Sequence, residues 1–181
     1  MDTRFLALIK KRLPWIAAAA ALGGTGFLIG QALGGFPVNI AKFMGSQIVR
    51  QGGYNESLAG IIGYTVHFAV ATSYVTLYAL AVSLAPLPKQ RTPRWIATAG
   101  VALLFAWFST LATAPAIAIT ISVLSGQGFP ASIPGLNTSL GFAFWNHLAF
   151  FSIAWLVTVI VPATLESRAT AVQPNSASSL A

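Results

Sequence analysis

Charge is confined to a few short stretches of this chain, and residues 13–41, 57–88 and 95–165 contain no charged side chain at all. Hydrocarbon offers no water to backbone N–H and C=O groups, so an uncharged apolar stretch of about 20 residues crosses it as a helix, which closes its own hydrogen bonds. The longest interval is interrupted by Gly126, Gly128, Pro130, Pro134 and Gly135, a loop composition, and so resolves into two spans. The fold class is therefore all-α, a bundle of four transmembrane helices. Composition agrees: with 56% hydrophobic and 7% charged residues, the chain has too little charge to solvate the outside of a soluble globule of 181 residues.

The first span is expected from about Trp15 to Gly34, opened by Pro14, whose missing N–H would be unpaired in a first turn anyway. Between Phe36-Pro37 and Gly52-Gly53, the residues Ile40, Phe43, Met44 and Ile48 recur at helical spacing, with Asn39, Lys42, Ser46 and Arg50 between them. That pattern predicts a short amphipathic helix at the interface. The second span runs from about Ser57 to Leu84, and Pro86, Pro88 and Pro93 hold the basic loop after it. The third begins near Arg94 and stays apolar to Leu124, too long for one upright crossing, so Pro115 is expected to bend it into a shorter apolar piece. The fourth runs from about Leu140 to Pro162. Residues 166–181 have little apolar content and read as a disordered tail, which leaves residues 1–165 as a single transmembrane domain.

A step of 80 residues superimposes His67 on His147, Trp15-Ile16-Ala17 on Trp95-Ile96-Ala97, and Lys11 on Arg91. Self-similarity at one fixed offset, carried by the rarest residue types, reads as a duplication of about residues 10–85 onto 90–165. Each half holds two spans, so the two repeats must be parallel. On this register residues 116–127 correspond to the interfacial segment of the first half.

Orientation follows from the basic residues. Arg4, Lys10, Lys11, Arg12, Lys89, Arg91, Arg94 and Arg168 fall on one side, against Lys42 and Arg50 on the other. The positive-inside rule then places both termini in the cytoplasm of a bacterial inner membrane. A cleaved signal peptide ending near Ala19 to Ala21 is the rival reading, but apolar sequence continues through Phe27-Leu28-Ile29, which favours an uncleaved span. The net charge of +7 is accounted for by this topology and by contact with anionic lipid at the cytoplasmic face, with no role for nucleic acid.

Polar groups within apolar spans mark the candidate sites. On the second span, helical steps from His67 reach Gly63 and Gly60 one way and Tyr74 and Tyr78 the other; on the fourth, His147 adjoins Trp145 and Asn146. The two histidines lie at similar depth, so they are placed to meet, either as structural hydrogen-bonding groups or around a shared interior ligand. Facing imidazoles would also suit axial ligation of haem b or a transition metal, although no cofactor or metal is expected. Gly23, Gly26, Gly30 and Gly34 form a ladder of small residues that admits a second backbone, from another span of the chain or from a homodimer partner. Gly60 and Gly63 offer the same kind of packing surface.

The order His67, Tyr78, basic proline loop, Trp95, Pro115, Gly/Pro-rich loop and His147-Leu148 followed by aromatics and Ser152-Ile153 resembles the YagU-like bacterial inner membrane proteins over about residues 57–160. The resemblance implies a multi-pass inner-membrane location and supplies no mechanism. This chain departs from that family in a shorter, less acidic stretch between the first two spans and a C-terminal end poor in charge.

Enzymatic chemistry finds no members. Asp2, Glu56 and Glu166 are the only carboxylates, all outside the expected spans, and there are no cysteines, no P-loop and no His-Glu-x-x-His. The expected function is a non-enzymatic membrane protein with an interior small-molecule or lipid site between spans two and four. The alternatives are a haem- or metal-binding electron-transfer or sensor subunit and a passive transporter of an apolar or weakly polar solute.

Overall fold

The computed structural model describes residues 3–35, 39–50 and 56–171. Its helices are α1 (Thr3–Leu33), α2 (Ile40–Val49), α3 (Glu56–Leu84), α4 (Arg91–Leu124), α5 (Phe142–Trp155) and α6 (Val161–Ala171), with a π-helical turn over Leu156–Ile160 joining the last two. Among the described residues, four stretches are long and apolar enough to cross a membrane: Lys10–Leu33, Ser57–Leu84, Arg91–Leu124 and Phe142–Arg168. Large apolar side chains such as Leu22, Ile61, Leu104 and Phe108 point outward, as they do on helices whose outer surface meets lipid. The chain is a multi-pass helical membrane protein.

Three prolines expected to open, bend or end helices lie inside them. Pro14 sits within α1, which begins at least three turns earlier than the sequence suggests. Its missing N–H falls beside the charged first turns, where the freed carbonyl is not sealed in hydrocarbon. Pro115 lies within a continuous 34-residue α4, about 51 Å long at 1.5 Å per residue. An α-helix would pair the Leu111 carbonyl with the N–H of residue 115, which proline lacks. The loop after α4 folds back along the helix instead, and Asn137 donates its N–H to Leu111 O at 3.2 Å. At Pro162 the helix widens into the π turn just before the proline and then continues, so residues 166–171 are helical and not tail. Residues 172–181, like Phe36-Pro37 and Gly52-Gly53, lie outside the described residues.

The glycine ladder of α1 is taken up within the chain, by antiparallel α5. A methyl group at Gly23 would lie 2.9 Å from the Phe150 ring and one at Gly26 3.1 Å from Ile153, while Gly30 abuts Asn146 and Gly34 the Phe142 ring. Small residues here admit large ones across the interface. Gly24, on an adjacent face, makes room for Phe68 of α3.

Helix α2 forms where its periodicity indicates, capped by the Asn39 side chain, which accepts from the N–H groups of Ala41 (3.0 Å) and Lys42 (3.2 Å). Its buried face is Ala41, Met44, Gly45 and Ile48, and Phe43 turns outward at 40% exposure. The rotation has a steric cause: Gly45 rides on the backbone of α3 at Ala59 and Gly63, and Gly63 on that of α2 at Ala41 and Gly45. Gly60, by contrast, has none of the described residues within 4 Å of an added methyl group and is not a packing glycine among them.

Residues 116–127, matched to the α2 region by the 80-residue step, are the last turns of α4 and the turn that follows. The core sits between the spans, toward the end opposite α2. There Phe151 and Tyr78 are fully buried among Phe105, Phe150 and a floor of alanines including Ala19, Ala71, Ala102 and Ala154. Tyr78 donates to Thr98 O at 3.1 Å and Trp155 Nε1 donates to Thr98 Oγ1 at 3.0 Å, which ties α3, α4 and α5 together.

Candidate functional site

Helix α1 contacts both α3 and α5 extensively, whereas α3 and α4 touch much less. The weak side leaves a cavity of about 100 Å³ between the core and α2. His67, Ala71 and Tyr74 of α3, Thr113 of α4 and His147 and Phe150 of α5 line it, with Phe27 of α1 and Met44 of α2. Sequence spacing alone therefore located two histidines and a tyrosine on one space.

The two imidazoles are held differently. His67 lies at a close approach of α3 to α1 and donates from Nε2 to Gly24 O at 3.0 Å, since a carbonyl only accepts. His147 donates from Nδ1 to Ala143 O of its own helix at 2.7 Å. Each neutral ring is left with one acceptor nitrogen, Nδ1 of His67 and Nε2 of His147. The hydroxyl nearest the latter, Thr113 Oγ1, is 3.4 Å away and sends its one hydrogen to Ser109 O at 2.6 Å. Thr110 Oγ1, 3.4 Å from His147 Nδ1, is likewise committed to Ala106 O at 2.8 Å. His147 thus keeps a weakly engaged acceptor beside Thr113, and both residues line the apolar cavity.

No hydrogen bond joins the histidines to one another among the described residues. They share Phe27, whose ring centroid lies 5.9 Å from that of His67 and 5.0 Å from that of His147. Phe27 reaches inward from α1 at the depth where both rings approach, and it replaces the direct meeting expected from their equal depth.

The remaining candidates lie elsewhere. Asn146 is buried and donates from Nδ2 to Phe27 O at 3.0 Å, opposite Gly30, so it fastens α5 to α1. Tyr78 is the core tie to Thr98. Trp145 is 61% exposed on the outer surface of α5, one residue from Asn146 and turned about 100° away. Phe27, Thr110 and Thr113 escaped the sequence reading. The available signal for the threonines was the run Ser109, Thr110, Thr113, three hydroxyls in five residues of an otherwise apolar span.

No group of three or more His, Cys, Asp or Glu side chains is assembled among the described residues. No family model matches the chain, and neither curated proteins nor solved structures include a significant match to it.

Proposed function

We propose that this chain is a non-enzymatic bacterial inner-membrane protein, and that the cavity between its second, third and fourth spans binds a small neutral molecule with an apolar body and one hydrogen-bond donor. The observation that carries this reading is the acceptor Nε2 of His147, a residue of the cavity lining, whose neighbouring hydroxyl on Thr113 is already committed elsewhere. A buried polar group without a full partner is costly, and a ligand O–H or N–H would satisfy it. The volume of about 100 Å³ suits a short aliphatic alcohol or the end of a lipid chain, being smaller than the about 150 Å³ that accommodates benzene.

The same geometry disfavours the other readings. Axial ligation of haem needs room for a macrocycle between the imidazoles, and here the space between them is occupied by Phe27. A passage for solute needs continuity toward the far side of the membrane, where Tyr78 and Phe151 close the core. The resemblance to YagU-like proteins is consistent with the location and adds no ligand.

The chain contains only two histidines, so protein labelled with ¹⁵N-histidine reports this site without interference. Titration with isobutanol is expected to shift the acceptor ring nitrogen of His147 upfield, while isopentane, of similar shape but without a donor, leaves it in place. Equal responses to both compounds, or to neither, would overturn the proposal.

A further inference from the structure

At the end of the bundle away from α2, a second cavity of about 520 Å³ opens between α1, the α3–α4 loop, the first turn of α4 and α6. Among the described residues its charged lining is one-sided: Lys11, Arg12, Lys89, Arg91 and Arg94 against the carboxylate of Glu166. Glu166 is bonded to Lys11 at 3.0 Å, on the exposed rim, where both side chains are more than 60% accessible. Arg12 is half-buried and lies within the field of Arg94 as well as that of Glu166. Two like charges brought together from different helices repel, and one carboxylate shared among five cations cannot offset that repulsion. The wall is also aromatic. Trp15 and Trp95 line the cavity, and the Arg91 guanidinium sits 4.5 Å from the Trp95 ring centroid, held over its face.

We infer that this vestibule is a binding site for a phosphate group, with Arg12 and Arg94 as its principal ligands. Guanidinium groups match phosphate oxygens through paired N–H donors, so two arginines from different helices can grip one phosphate and cancel their mutual repulsion. Tryptophans beside basic residues at a span end are the usual side chains of the membrane–water boundary. The cavity is several times the size of a single ion, with room for the headgroup that carries a lipid phosphate. A free phosphate-bearing solute shares the same chemistry.

Native mass spectrometry of the full chain, released from detergent after exchange into equal amounts of phosphatidylglycerol and phosphatidylcholine, tests the assignment. One phosphatidylglycerol should be retained in preference to phosphatidylcholine. Arg12→Gln with Arg94→Gln should weaken that retention about 30-fold, five- to sixfold for each charge removed. Arg12→Lys with Arg94→Lys, which keeps the charge and is milder on the fold, should restore part of it, and Arg168→Gln, outside the lining, should leave it unchanged. If the site takes free phosphate instead, millimolar inorganic phosphate will raise the melting temperature of the wild type and not of the double glutamine variant. Absence of both effects, or an equal loss with Arg168→Gln, would overturn the inference.

Discussion

Gly60 and Gly63 lie one turn apart on α3, and the structure predicts opposite consequences of the same substitution. At Gly63 an added methyl group would enter the backbone of α2 at Ala41 and Gly45, and at Gly60 it would meet none of the described residues within 4 Å. Forcing one methyl into a packed site costs about 1–3 kcal/mol. Here the obstructing atoms are backbone and no side-chain rotation relieves the clash, so the upper end applies. Alanine returns up to about 1 kcal/mol of helix preference at either position. Gly63→Ala should therefore destabilise by about 2 kcal/mol, and Gly60→Ala should stabilise by about 0.5–1 kcal/mol. Unfolding of each variant by sodium dodecyl sulfate in mixed micelles, followed by tryptophan fluorescence, measures the two changes against wild type. Equal changes at the two sites would refute the backbone crossing of α2 on α3, because helix preference alone treats them alike.

Replacing Asn146 with leucine removes the bond to Phe27 O and sets a branched apolar side chain against Gly30; a loss of about 1 kcal/mol in the same assay is expected, near the usual worth of an interhelical hydrogen bond in a membrane. An unchanged midpoint would show that α5 is held to α1 by shape alone. Single cysteines at Gln90 and Pro130 should label from opposite sides of intact cells, with residue 90 protected from an impermeant reagent; accessibility of both from outside would break the assignment of orientation.

The spans were legible because hydrocarbon imposes a rule on every residue of a segment, and that rule survives any detail of packing. Helix ends were less so. Proline punctuation assumes that a lost hydrogen bond terminates the helix, but at Pro115 the orphaned carbonyl of Leu111 is served by Asn137, 26 residues downstream of its acceptor. That rescue depends on the course of the loop, which leaves no mark at the proline. The face of α2 was misjudged for a related reason. Hydrophobicity ranks Ile40 and Phe43 above Ala41 and Gly45, but at a close crossing the backbone itself is the contact surface, and only small residues reach it.

The histidines show how far a spacing argument reaches into a site. Equal depth on two spans brought both rings to one cavity, because helical rise is fixed and the spans are anchored by their charged ends. Depth does not set azimuth, and azimuth decided the partners. His67 faces α1 and spends its N–H on Gly24 O, whereas His147 lies toward α4 and spends its N–H within its own helix, on Ala143 O. A strict two-fold copy would have placed residue 104 opposite His147 as Gly24 is opposite His67; position 104 is an outward-facing leucine. The halves thus differ in their packing partners at the residues that match best in sequence. The asymmetry also distinguishes the two acceptors: His67 Nδ1 lies on a ring whose N–H is fixed to α1, while His147 Nε2 faces Thr113, whose hydroxyl hydrogen is spent on Ser109 O. On the proposed reading, the α4–α5 side of the cavity is therefore where a ligand's donor would meet an acceptor that no protein hydrogen already serves.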